Sequence, residues 1–71
     1  MSPKQIARNM EHVKKLRQRE SDAFFAKQET LRIQYKTEAD RVARVTVAAL
    51  RQSDYWAPDI RDSFIAGLEV R

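Results

Sequence analysis

Apolar side chains recur at helical spacing along most of this chain, and they are densest between Phe24 and Leu50. At 100° per residue they fall on two faces of a helix, about 120–150° apart. The first face comprises Phe24, Leu31, Tyr35, Val42, Val45 and Ala49. The second comprises Phe25, Ile33, Ala43, Val47 and Leu50. Because a helix with two apolar faces packs against two neighbours, we expect one neighbour to be the C-terminal segment and the other a second copy or a foreign protein.

The pattern predicts one long helix over residues 3–52. Ser2 is a good N-cap, Pro3 suits the first helical position, and residues 4–52 contain neither Gly nor Pro. One apolar stripe also keeps its phase throughout, with alternating spacings of 7 and 11 residues that together make five helical turns. The alternative is two helices joined at Ser21-Asp22, since both residues are good N-caps and a hairpin loop can be short. The constant phase favours the single helix.

A second, short helix is predicted over residues 58–69. Pro58 cannot continue the preceding helix but suits the start of a new one. Ile60, Phe64 and Leu68 recur every four residues and give this helix an apolar face. We expect it to fold back onto the second face of the long helix.

Chain length then argues for association. A domain of 71 residues buries a small share of its surface, and with no Cys it has no disulfide to compensate. We therefore predict an all-α fold that forms a helical homodimer, with residues 1–71 as a single interaction domain. The predicted dimer seam follows the long helix and consists of Ile6, Val13, Phe24, Leu31, Tyr35, Val42 and Ala49.

The net charge of +4 is concentrated at the N-terminus, where residues 1–20 hold six Lys or Arg residues and two Glu. Its most regular feature is a basic helix face made by Lys4, Arg8, Lys15 and Arg19. Such a face is typical of contacts with acidic proteins, nucleic acids or anionic membranes, although a merely solvated face has the same pattern. Nucleic acid is the weaker candidate partner, because the basic stretch has no interleaved aromatic residues and no helix-turn-helix or zinc-finger pattern.

An aromatic pair, Tyr55-Trp56, lies at the predicted end of the long helix beside Arg51. Tyr, Trp and Arg dominate the energetics of protein interfaces. We therefore predict a partner contact at Arg51, Tyr55 and Trp56, with the alternative that Trp56 only fills the corner where the chain turns back.

No catalytic, cofactor-binding or metal-binding residues are predicted. Glu11 and His12 are helical neighbours that point in different directions, and no Gly-rich phosphate loop or nucleophile motif occurs. The N-terminus has no signal-peptide pattern and no apolar run approaches membrane-spanning length, so we expect a cytoplasmic protein. Size and charge are also typical of phage accessory proteins. The predicted function is that of an adaptor or inhibitor that binds a larger protein, and the alternative is a small nucleic-acid-binding regulator.

Overall fold

The computed structural model describes residues 1–69 and contains three helices: α1 (Pro3–Phe25), α2 (Glu29–Arg51) and α3 (Pro58–Glu69). The described residues form no strand, so the predicted all-α class is confirmed for this part of the chain. Helix α1 begins as the sequence indicates: the Ser2 side chain accepts a hydrogen bond of 3.2 Å from the backbone N–H of Gln5, and Pro3 occupies the first turn.

The prediction of one helix over residues 3–52 is wrong, because the chain reverses direction at Ala26–Gln28. The backbone N–H of Lys27 donates to Phe24 O at 3.1 Å, and that of Gln28 donates to Ala23 O at 2.9 Å. These two hydrogen bonds form a Schellman motif, which satisfies the last carbonyl groups of a helix. Lys27 adopts the left-handed conformation (φ 58°) that the motif requires. The alternative break at Ser21-Asp22 is also wrong, since both residues lie inside α1.

Lys27→Gly should raise the free energy of unfolding by about 0.5–1 kcal/mol, because Gly adopts positive φ without the steric cost that Lys incurs. Chemical denaturation followed by far-UV circular dichroism measures the change. The matched control is Ala26→Gly, since Ala26 has ordinary right-handed geometry (φ −81°) and Gly there should destabilise the fold. Equal effects of the two substitutions would contradict the turn geometry.

Helices α1 and α2 form an antiparallel hairpin, as the short loop requires. We call the loop end the tip and the opposite end the base. The whole described chain measures 42 × 19 × 15 Å, whereas a continuous helix over residues 3–52 would span about 70–75 Å. The hydrophobic core lies in the base half and consists of Ile6, Val13, Val42, Ala43, Val47, Leu50 and Leu68.

Helix α3 covers part of the base half of this hairpin. Leu68 is buried in the core, and Phe64 and Ile65 pack against it, whereas Ile60 remains largely exposed. Of the second apolar face of α2, Ala43, Val47 and Leu50 are buried in the same core, while Ile33, nearer the tip, is exposed.

Arg17 connects the three helices. Its Nη2 donates to Leu68 O at 3.1 Å, and its Nη1 lies 3.7 Å from the Asp40 carboxylate, which also binds Lys36 Nζ at 3.1 Å. A cation that binds a carbonyl group near a helix C-terminus is favourably placed in the field of that helix. Arg17 therefore helps to hold α3 against the hairpin.

Candidate protein-interaction surfaces

The predicted dimer seam is not one surface. Ile6, Val13 and Val42 are buried in the core of the chain itself, because the reversal at the tip brings α1 and α2 together. Phe24 and Leu31 remain exposed, and Tyr35 and Ala49 are half-buried. The apolar periodicity identified residues that share a face of a helix, but the neighbour that covers much of that face is the other half of the chain.

Part of the predicted seam remains accessible on α2. We use the name α2 stripe for five apolar residues at helical spacing that lie within about 80° of arc on this helix: Leu31, Tyr35, Val42, Val45 and Ala49. Leu31 is 38% exposed and Val45 47% exposed, whereas Val42 is largely covered by the core. Ile33 lies on the opposite side of the helix. The stripe is thus partly covered by the chain itself, and its exposed residues are Leu31 and Val45.

An ion pair interrupts this stripe at Glu38, which lies on the same arc of α2 midway between Leu31 and Val45. Arg41 donates two hydrogen bonds to the Glu38 carboxylate, one of them from Nε to Oε2 at 3.1 Å. These hydrogen bonds hold the pKa of Glu38 below its ordinary value, with smaller contributions from the charges of Arg41 and His12. A pair of opposite charges therefore lies among the apolar side chains of the stripe.

The tip presents two exposed aromatic rings. Phe24 and Phe25 are 62% and 78% exposed, and their ring centroids lie 5.5 Å apart in an edge-to-face arrangement. They project from the last turn of α1, beyond the core that α3 helps to cover. The tip is therefore an apolar surface that no part of the described chain covers.

At the base, Tyr55 and Trp56 have different environments. The Tyr55 side chain is 69% exposed, while Trp56 packs against the core. Trp56 contacts Tyr55 and Phe64 edge-to-face, with centroid distances of 4.8 and 5.1 Å. The Trp56 Nε1 atom is buried, and within residues 1–69 it has no hydrogen-bond partner. The indole thus fills the corner before α3, and the phenol ring of Tyr55 remains exposed.

Arg51, the third predicted residue of this contact, is exposed and partly engaged. Its Nη2 lies 3.4 Å from the Glu69 carboxylate on α3. Because an exposed ion pair contributes little to stability, this contact adds little to the packing of α3 on α2.

The basic helix face forms as the sequence predicts. Its four residues are all exposed on α1, over a length of about 22 Å at the usual helical rise. The ion pairs of residues 1–69 use other side chains and leave these four cations unpaired. Lys4 and Arg8 lie towards the base, at the same end of the hairpin as Tyr55, whereas Lys15 and Arg19 lie towards the tip.

Sequence reasoning missed the role of Arg17 and the position of the tip. A cation beside an apolar stripe gives no sign that it will bind a distant helix end. A Gly at residue 27 would have marked the reversal, but Lys stands there.

None of the helices described within residues 1–69 is long and apolar enough to cross a membrane. The same residues contain no cluster of three or more His, Asp or Glu side chains that could hold a metal ion. No protein-family model, curated protein or solved structure matches this chain.

Proposed function

We propose that this protein is a small, non-enzymatic interaction module of the cytoplasm that binds a larger protein with an acidic surface and acts as an adaptor or inhibitor. It does so as a homodimer. The observation that carries the proposal is the exposed Tyr55 ring, which packs edge-to-face against the partly buried Trp56 at the base of the hairpin.

We use the name base corner for Arg51, Tyr55 and Trp56, at the end of α2 and before α3. These residue types are the ones that dominate interface hot spots. A Tyr ring offers a large contact area and a polar hydroxyl, and its two side-chain torsions cost little entropy to fix on binding. Here the contact with Trp56 already restricts the ring, so less entropy remains to be lost. Arg51 adds a cation that can bind a carboxylate of the partner.

The basic helix face accounts for the proposed preference for an acidic partner. The four cations of this face, which form no ion pair within residues 1–69, raise the rate of encounter with an acidic surface and disfavour basic partners. Lys4 and Arg8 lie at the same end of the hairpin as Tyr55, so an acidic partner that binds Tyr55 approaches the end of the molecule that carries these two cations.

The same unpaired cations favour a second candidate function, namely nucleic-acid binding. Phosphate contacts release counterions, so this binding would weaken steeply with salt. The base corner would then have no role in affinity. This difference separates the two candidates.

Tyr55→Ala should weaken partner binding by a factor of at least ten, as expected for the loss of a hot-spot residue, and should leave the melting temperature nearly unchanged because the ring is exposed. The experiment is a pull-down with tagged protein from lysate of the source cell, with and without nuclease, followed by titration of the captured protein. The matched control is Phe25→Ala, which removes an exposed aromatic ring from the opposite end of the hairpin and should not affect capture. Nuclease-sensitive capture, or equal losses for the two variants, would contradict the proposal.

A further inference from the structure

We propose that the groove between α1 and α3 binds a small amphipathic anion, of the chemical class of medium-chain fatty acids. The apolar body of the ligand lies between the two helices and its carboxylate binds Lys14. The residues that line this groove include neither Tyr55 nor the basic helix face. The inference therefore goes beyond the proposed function and does not depend on the identity of the larger partner.

The floor of the groove is apolar. It is formed by Met10 and Val13 on α1 and by Phe64 and Leu68 on α3. All four side chains belong to the hydrophobic core or pack against it, so they are held in place before a ligand binds. Val13 and Leu68 are buried, whereas Met10 and Phe64 are half-buried and leave apolar surface in contact with water. A ligand with an apolar body gains free energy by removing that surface from water.

The groove stays open because small residues form its α3 wall. Ser63 and Gly67 lie one turn apart on α3, and both line the groove. A Cβ atom added at Gly67 would meet no atom of another helix within 4 Å in the described part of the chain. Neither residue is long enough to cover the apolar floor, so a larger side chain at residue 67 would fill a space that the natural chain leaves free.

The dimensions of the groove favour a small molecule over a protein segment. Its volume is about 470 Å³, which falls in the usual range for small-ligand sites, about 300–1,000 Å³. The α1 wall extends from Met10 to Gln18, about 12 Å at the usual helical rise. A contact of this length is short for a specific protein interface, which normally buries at least about 1,000 Å² in total.

The charges around the groove favour an anion. Its lining side chains include two cations, Lys14 and Arg17, and no carboxylate among residues 1–69. The Arg17 guanidinium already binds Leu68 O and lies near Asp40. Lys14 is exposed and takes part in none of the ion pairs formed within the described chain. Its ammonium group can therefore bind a carboxylate at the rim while the apolar body of the ligand covers the floor.

Gly67→Leu should weaken the binding of decanoate at least tenfold, because the new side chain occupies the space between the helices. The measurement is isothermal titration calorimetry of the full chain with sodium decanoate. The emission of Trp56 is a second readout, since its ring centroid lies 5.1 Å from that of Phe64 in the floor. Ala66→Leu is the matched control: it introduces the same residue at the neighbouring exposed position of α3, which lines a different groove, and it should change the affinity less than twofold. Circular dichroism checks that both variants stay folded.

Lys14→Glu should weaken decanoate binding at least fivefold, because it replaces the cation at the rim with a carboxylate. Lys15→Glu makes the same change in net charge on the basic helix face, about 100° further around α1, and should weaken binding less than twofold. Decanol has the same apolar body without the charge. It should bind the wild-type chain more weakly than decanoate does, and Lys14→Glu should not change its affinity.

A wild-type chain that does not bind decanoate at millimolar concentrations would overturn the inference. Equal effects of Gly67→Leu and Ala66→Leu would also overturn it, as would equal effects of Lys14→Glu and Lys15→Glu. A groove that instead takes an apolar side chain of a protein partner would show no decanoate binding but would lose partner capture with Gly67→Leu, and this result too would overturn the inference. Tyr55→Ala should leave decanoate affinity unchanged, so failure of this site and failure of the partner contact can be told apart.

Discussion

Replacing Leu50 with Ala lowers the free energy of unfolding by about 3 kcal/mol, the usual cost of removing a fully buried Leu side chain. Leu50 has no exposed surface and belongs to the core shared by the three helices. A chain of this size has a total stability of roughly 4–10 kcal/mol, so the variant loses a large part of it. Urea denaturation followed by far-UV circular dichroism at low protein concentration measures the change.

The control is Leu31→Ala, the same substitution in the same helix at an exposed position. Its cost in the monomer should stay below about 1 kcal/mol, because little buried surface is lost and Ala favours helix. Similar losses for the two variants would mean that the core is not at the base of the hairpin.

Trp56→Ala lowers the free energy of unfolding by about 2–4 kcal/mol, somewhat less than the loss of a fully buried Trp because the side chain is partly exposed. The substitution removes the ring that packs between the core and Phe64 and leaves a cavity at the start of α3. The expected result is a lower midpoint of urea denaturation.

Two further variants separate the role of the ring from that of the indole N–H and of the neighbouring phenol. Trp56→Phe keeps an aromatic ring and removes an N–H that has no partner within the described residues, so it should cost about 1 kcal/mol or less. Tyr55→Ala should change the stability by only a few tenths of a kcal/mol, as is usual for exposed positions. A loss for Tyr55→Ala as large as that for Trp56→Ala would place Tyr55 in the core.

The sequence was a reliable guide to local structure where side-chain chemistry marks a helix end. Ser2-Pro3 begins α1, and Pro58 begins α3, as predicted. The reversal at Ala26–Gln28 could not be predicted, because Lys27 supplies a left-handed conformation that Gly or Asn normally supplies. Tertiary packing between α1 and α2 compensates for that local cost.

The constant phase of the apolar stripe, which favoured a single long helix, was misleading for a related reason. Each half of the hairpin needs an apolar stripe to face the other half, and two such stripes can be in phase along the chain without belonging to one helix. Periodicity therefore identified Ile6, Val13 and Val42 as residues to be covered, but not what covers them. Only the geometry of the loop shows whether these residues are covered by a second copy or by the other helix of the same hairpin.

For the candidate surfaces, the exposure of charged side chains could be predicted from the sequence. Lys4 and Arg8 are solvated because they lie opposite the apolar face of α1. The different environments of Tyr55 and Trp56 were not predictable, since two adjacent aromatic residues in a turn give no periodicity. Their separate roles follow only from the path of the chain into α3.

Trp56 is the only tryptophan of the chain, and its ring lies where α3 packs against the hairpin. Fluorescence excited at long wavelength therefore originates from this one corner, while the amide signal in the far ultraviolet reports on all three helices. The molecule thus contains a natural optical probe of α3 that needs no added label.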